Sequence, residues 1–198
     1  NSTSVAPTGF QDLCVGDPAT TLTATVSTSG SSGTPTIQYQ WYYNTSNSNN
    51  IGTATMLTGD TNATYTPDNS VSATGNRYYF CVGYATDNGC GQTNADQGLA
   101  SNQIRVLVTP VPDTPGVISG QADTTPSTAG YVYSISAVPN ATTYNWTVPT
   151  NWSITAGTGT TSITVTSGND GDNGNVTVTA ENSCGTSAAS TLAVTCST

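Results

Sequence analysis

Apolar and polar residues alternate along much of this chain with a period of two. The clearest run is Ile37-Gln38-Tyr39-Gln40-Trp41-Tyr42-Tyr43, in which Ile37, Tyr39, Trp41 and Tyr43 share one face. Alternation of β-branched and aromatic residues predicts a half-buried strand. Thr21 to Val26 alternates in the same way, Arg77-Tyr78-Tyr79-Phe80-Cys81-Val82 reads as a later strand and Gln103 to Val108 as the last of this half. Tyr65 marks a short strand closed by Pro67-Asp68-Asn69, and Gly9 to Leu13 is a further candidate in a loop-rich entry over residues 1–20. Residues 27–35 read as a turn, 44–50 as a polar stretch, and no segment has helical periodicity.

Thr109-Pro110-Val111-Pro112-Asp113-Thr114-Pro115-Gly116 interrupts the pattern. Three prolines in this span forbid helix and favour extended backbone, so it reads as a short, semi-rigid linker. Beyond it the plan repeats. Val117-Ile118 opens the second half, Tyr131, Tyr133 and Ile135 alternate, and Tyr144-Asn145-Trp146-Thr147-Val148 is a second tryptophan strand. Trp152-Ser153-Ile154, Ile163-Thr164-Val165, Val176-Thr177-Val178 and Leu192-Ala193-Val194 follow, and Asn173-Gly174 reads as a tight hairpin. A buried Trp on the third strand and a Tyr two residues before a Cys, as Tyr79 stands to Cys81, are features of immunoglobulin-like sandwiches. The expected fold is therefore all-β: two tandem sandwich domains, residues 1–110 and 111–198, with Trp41, Tyr79 and Trp146 in their cores.

Composition narrows the function. Charged residues are 7% of the chain and the net charge is −9, with no Lys and only Arg77 and Arg105 as cations. Nucleic acid and anionic lipid are recognised through basic patches, which this chain lacks. No apolar run of about 18 residues predicts a membrane span. No basic-plus-apolar leader opens the chain, and its ends fall mid-pattern, as in a piece of something longer. Five cysteines with no His and no Cys-x-x-Cys argue for disulfides in an oxidising compartment and against zinc. Five is odd, so at least one thiol lacks a partner within the chain. Two arginines also offer trypsin-like proteases few sites.

Leu13-Cys14-Val15-Gly16, Tyr39-Gln40-Trp41-Tyr42, Tyr65-Thr66-Pro67 and Tyr78-Tyr79-Phe80-Cys81 resemble the Ig-like repeats of large surface proteins of Bacteroidetes. The second half is similar to their PKD-like repeats through Ala141 to Pro149, Gly159 to Val165 and Asn182-Ser183-Cys184-Gly185-Thr186-Ser187. The resemblance covers nearly the whole chain. It implies an extracellular, cell-surface, non-catalytic repeat segment of a filamentous adhesin, exported by the type IX system, as in gliding-motility adhesins of the SprB type. Implied partners are neighbouring repeats of the same chain and surface polysaccharide, with no cofactor. The alternative is a stalk or carbohydrate-binding module of a secreted multidomain enzyme. One departure is that such PKD-like repeats often carry a Cys before the second strand, where this chain has Asp123-Thr124-Thr125-Pro126.

Candidate chemistry is sparse. Nucleophilic catalysis needs a base, and there is no His and a single Glu, Glu181. Asp170 and Asp172 stand at positions one and three of an EF-hand-like loop, with Glu181 at position twelve. The sixth position is Asn175 where glycine is needed, so a turn is the competing reading. Tyr42, Tyr78 and Trp152 are candidates for a sugar platform, against a role in packing. Asn62-Ala63-Thr64 and Asn145-Trp146-Thr147 are sequons of a kind that arises by chance here, and Asp123-Thr124-Thr125 resembles the O-glycosylation signal of exported proteins of this phylum. For the cysteines, sandwich topology puts Cys14 and Cys184 at the facing ends of the two domains. That permits a Cys14–Cys184 crosslink and a Cys81–Cys90 bond, with Cys196 awaiting a following repeat. Cys14–Cys81 with the rest free fits the spacing equally.

Overall fold

A computed structural model of the chain describes residues 2–27, 35–86 and 98–198. It divides into two compact units, Asn1–Thr109 and Pro110–Thr198, called here domain 1 and domain 2. Among the described residues domain 1 has strands β1 (Ser2–Ala6), β2 (Phe10–Cys14), β3 (Leu22–Ser27), β4 (Thr36–Asn44), β5 (Thr55–Met56), β6 (Thr64–Tyr65), β7 (Gly75–Thr86), β8 (Leu99–Ala100) and β9 (Ile104–Thr109). Domain 2 adds β10 (Asp123–Thr124), β11 (Ala129–Ser134), β12 (Thr143–Thr147), β13 (Ser153–Ala156), β14 (Ser162–Thr166), β15 (Gly174–Asn182), β16 (Gly185–Thr186) and β17 (Ser190–Cys196). Two 3₁₀ turns, Ile51–Thr53 and Val71–Ala73, are the only helical elements among them.

In domain 1 one sheet runs β1-β3-β6 and the other β2-β9-β7-β4-β5, with β8 added on β7. The chain thus begins in the first sheet and crosses to the second, where β2 lies parallel to the last strand. This is an immunoglobulin-like sandwich. Between the sheets lie Val5, Leu22 and Ala24 from one side and Trp41, Tyr79, Cys81, Ile104, Val106 and Val108 from the other. The period of two is visible in β9, where Ile104, Val106 and Val108 are buried and Arg105 and Leu107 turn away. The sheets meet closely at Gly83, where a Cβ would lie 2.2 Å from Val26 Cγ2.

The outer face of the second sheet carries its own small core: Tyr42, Phe80 and Val82 beneath Ile51, Ala54 and Ala100. The polar stretch over residues 44–50 covers this face. Asn44 is buried there and donates to Ser48 O at 2.7 Å, while Asn49 reaches Ser101 O at 2.9 Å. Asn50 caps the first 3₁₀ turn by accepting from Gly52 N.

Domain 2 repeats the arrangement, with sheets β10-β17-β15-β12 and β11-β14-β13. Its core gathers Tyr133, Trp146, Trp152, Ile163, Val165, Val176, Val178 and Val194. β12 is an edge strand, and residues 157–160 guard it: Tyr144 N donates to Gly159 O and the Trp146 indole to Thr160 O.

Three expectations differ from what is found. The loop-rich entry contains β1, which pairs with β3 over Ser2↔Ser27 to Ala6↔Thr23; Ser2-Thr3-Ser4 hides the strand because its apolar signal is a single buried Val5. Val117-Ile118 forms no strand, although the next residue, Ser119, bridges Ser134. Asn173-Gly174 is no hairpin turn, because β14 and β15 belong to opposite sheets. The loop between them is stapled by Asp172, and the residue with positive φ is Gly171.

Candidate functional site

All three indoles are buried and each donates to a backbone carbonyl. Trp41 Nε1 bonds Asn62 O at 2.9 Å, Trp146 Nε1 bonds Thr160 O at 2.8 Å and Trp152 Nε1 bonds Asp172 O at 2.9 Å. An amphipathic ring therefore fills the core while its N–H satisfies a crossing segment. Around Trp41 the rings continue: Tyr65 lies 5.6 Å from it, Tyr79 5.5 Å from Tyr65 and Tyr43 5.8 Å from Tyr79. Tyr79 does not make the hydrogen bond of a tyrosine corner. Its buried hydroxyl has no partner among the described residues, and burial raises its pKa, offset in part by Arg77. The ring, not the hydroxyl, is what packs. Tyr133 is different: its hydroxyl donates to Gln121 O at 2.8 Å, and burial pushes its pKa up to about 12.

The candidate sugar platform does not form. Tyr42 stacks on Phe80 in the outer-face core, Trp152 is sealed in domain 2 and Tyr78 is half-buried. Strand aromatics here cover apolar surface. Thr124, in the O-glycosylation-like motif, is buried and donates to Thr195 O at 2.8 Å, which leaves no free hydroxyl.

Cys14 and Cys184 are disulfide-bonded. Cys81 and Cys196 hold free thiols, both buried. Cys90, and with it the expected Cys81–Cys90 pairing, lies outside the described residues; Cys81, a free thiol, does not pair with Cys14. The reason is its place in the alternation. Cys81 points between the sheets beside Trp41, Tyr79 and Ile104, where burial pushes its thiol up to about 12. Cys196 likewise does not wait at the surface for a following repeat. It ends β17 facing inward, with its Sγ 3.6 Å from Gly168 O.

The carboxylates act as turn staples. Asp172 accepts from Asn169 N at 2.6 Å and from Asn151 Nδ2 at 3.1 Å, and Asp170 accepts from Thr198 N at 3.2 Å. Glu181 sits on β15 and accepts from Asn145 Nδ2. Asp170 and Asp172 close their loop through these bonds, and among the described residues no group of three His, Cys, Asp or Glu side chains comes together.

Both cations lie over aromatic rings. Arg77 stands 4.6 Å from the Tyr43 ring centre and donates to Ser72 O at 2.6 Å. Asp68, 4.0 Å away, is held below its ordinary pKa mainly by the Ser70 N–H. Arg105 lies 4.9 Å from the Phe10 ring centre, bonds Asp12 at 2.7 Å and reaches Asn76 at 3.1 Å. Nothing in the sequence pairs Arg105 with Phe10 and Asp12, although alternation along Phe10-Gln11-Asp12 places both β2 residues on one face.

Side-chain amides do the remaining anchoring. Asn102 both donates to and accepts from the Val5 backbone, at 3.1 and 2.8 Å, completing the free edge of β1. Gln11 does the same for Thr20 at 3.1 and 2.8 Å. Asn182 holds Pro110 O, Asn140 O and Cys184 N together. In a chain rich in Asn no sequence signal singles these out.

Residues 111–194 match the family model of the PKD-like domain. The matched segment is domain 2 from the linker to β17. No curated protein matches the chain. Among solved structures, an I-band fragment of titin is 18% identical over 95% of this chain, with a TM-score of 0.46. The extracellular domains of Drosophila OTK are 17% identical over all of it, at 0.45, and the mouse nectin-like molecule 4 ectodomain is 15% identical over 98%, at 0.41. The chain spans 62% of the titin and OTK structures. Ig/PKD-type domains carrying disulfides point to an extracellular or secreted protein. No helix among the described residues is long and apolar enough to cross a membrane.

Proposed function

We propose that this chain is a non-catalytic repeat segment of a filamentous cell-surface adhesin, one that extends a binding tip and bears tension during surface attachment or gliding. The observation that carries this reading is the tandem: a sandwich matching the PKD-like domain follows a second sandwich in the same chain, through a proline-bearing segment. It is supported by the use of the candidate chemistry as structure, since the indoles, Asp172 and Thr124 are committed to backbone partners. Partners in this reading are neighbouring repeats of the same chain and a surface polysaccharide at the tip, with export by the type IX route. The sequence-derived pairing of Cys14 with Cys184 belongs to the same proposal. What supports it is that both are disulfide-bonded while Cys81 and Cys196 keep free thiols.

The test is the full-length gene. The proposal expects many similar sandwich repeats flanking this one. A single catalytic domain beside it would overturn the adhesin reading in favour of an enzyme stalk. Non-reducing peptide mapping tests the crosslink separately, by whether Cys14 and Cys184 leave in one linked peptide pair.

A further inference from the structure

The outer face of the second sheet in domain 1 is only partly covered. Residues 44–54 fold over Tyr42, Phe80 and Val82. Beyond that cover, strand pairing sets six outward side chains in two short rows. Phe10 of β2 stands beside Arg105 of β9, which stands beside Tyr78 of β7. In the next row Asp12, Leu107 and Asn76 follow in the same strand order. Asn44, next to Tyr78 across β4, is buried, so exposure rises along the first row away from the cover. Phe10 at its end is 67% exposed, the one aromatic among the large exposed hydrophobic side chains of the described residues.

Polar groups are used differently in this patch. Asp172, Asn182, Thr124 and Gln11 are tied to backbone partners. Asp12 and Asn76 are held by another side chain, through one atom each. Arg105 Nη2 lies 2.7 Å from Asp12 Oδ1, and its Nη1 donates to Asn76 Oδ1 at 3.1 Å. Asp12 Oδ2 and Asn76 Nδ2 have no hydrogen-bond partner among the described residues, so an acceptor and a donor stand oriented and open at the surface. Arg105 also lies 4.9 Å from the Phe10 ring centre, and most of that ring remains open to solvent. Rings that take up the apolar faces of a ligand, flanked by oriented donors and acceptors, suit a polyhydroxylated compound. Charge points to the same class. Arg105 and Asp12 cancel within the patch while the whole chain carries −9, so an uncharged partner is accepted and a polyanion is repelled.

We propose that this patch of domain 1 binds an uncharged polysaccharide, with Phe10 and Tyr78 stacking on sugar rings and Asp12 and Asn76 meeting their hydroxyls. The two aromatics stand on strands roughly 9–10 Å apart, so they contact different sugars of one glycan chain. The platform expected from Tyr42, Tyr78 and Trp152 fails at Tyr42 and Trp152, and Tyr78 finds Phe10 instead. The inference rests on the proposed function for a surface polysaccharide as partner, and adds that this segment itself touches it.

Native affinity electrophoresis of the full chain tests this, in gels holding laminarin, arabinoxylan or galactomannan as uncharged probes and alginate as the polyanion. Retardation is expected in at least one uncharged gel and not in alginate. Phe10→Ala and Tyr78→Ala are each expected to weaken that binding roughly tenfold, the loss of an aromatic anchor. Phe10→Tyr, which restores a ring, should recover most of the loss. Asp12→Asn loosens the ion pair with Arg105 and should weaken binding by less. Val132→Ala is the control, an exposed apolar side chain of domain 2 whose loss should leave binding at the parent level. Circular dichroism establishes that each variant is folded. Retardation by none of the three uncharged probes, or by alginate alone, overturns the proposal. So does Phe10→Ala binding as the parent does. Self-association without polysaccharide that Phe10→Ala abolishes would make the patch a contact between copies, and overturns it too. Each of these outcomes leaves the adhesin reading to be judged on the full-length gene.

Discussion

Asn182 offers a sharp test of the idea that neutral amides hold this protein where others use ions. It ends β15, is 8% exposed, and makes three hydrogen bonds through one side chain. Its Nδ2 donates to Pro110 O at 2.9 Å and Asn140 O at 3.0 Å, and its Oδ1 accepts from Cys184 N at 2.8 Å. Asn182→Ala removes all three at about 1 kcal/mol each, so domain 2 should lose about 2–3 kcal/mol. For a domain of this size that is a fall in melting temperature of roughly 10–20 °C. Asn182→Asp keeps the shape and the acceptor for Cys184 N, but aims a carboxylate at two carbonyl oxygens. The folded state disfavours that charge, so the folded pKa of the new group is raised above its unfolded value of about 3.9. A raised folded pKa contributes stability that is present below the unfolded pKa and lost as pH rises through the folded one. Relative to the parent protein at each pH, Asn182→Asp should be at least as damaging as alanine at pH 7, and much milder near pH 3.5. The alanine deficit should not depend on pH. Calorimetry of the domain 2 transition at both pH values measures this. A shift under about 2 °C for alanine, or an aspartate deficit equal at the two pH values, would refute the role given to the amide.

Other consequences follow from the cores. Trp41→Phe removes the bond to Asn62 O and part of a fully buried ring, so domain 1 should lose about 2–3 kcal/mol in urea unfolding, while a change in domain 2 would contradict the packing. A brief alkylation pulse on the folded protein at neutral pH should leave Cys81 and Cys196 unmodified, with both labelled in denaturant; peptide mass spectrometry reads it, and native labelling of Cys81 would show that its site is open. Tyr133 has a folded pKa raised to about 12 from an ordinary 10.0, so its contribution is full below pH 10 and is lost as pH climbs toward 12. Domain 2 should therefore melt earlier across that window, and a Tyr133→Phe protein with the same alkaline loss would rule out this residue as the cause.

Much of the architecture is written in local pattern. Alternation placed β3, β4, β9, β11, β12, β14, β15 and β17 near where they occur, because a strand half buried on one face must repeat every two residues. Prolines at 110, 112 and 115 marked the break between the domains for an equally local reason, their fixed φ and missing N–H. The sites are another matter. Tyr42 and Tyr43 are neighbours with the same chemistry, yet one enters a small core on the outer sheet face and the other packs at a tilt against Tyr79 in the main core. Which face has cover depends on residues 44–54 folding back over the sheet, a contact that local periodicity does not encode.

What the sequence determined by itself is therefore a set of strands, two indole-centred halves and a lean, anionic surface. Each follows from backbone geometry and transfer from water, which act residue by residue. What only the tertiary structure decided is partnership. Arg105 finds Asp12 and Asn102 finds Val5 from 93 and 97 residues away, and Cys81 stays a thiol because its strand turns it inward. Hydrogen-bond and disulfide partners are selected by proximity across sheets. In a chain so rich in interchangeable Asn, Ser and Thr, no residue type announces which of many equal donors will be near enough to bond.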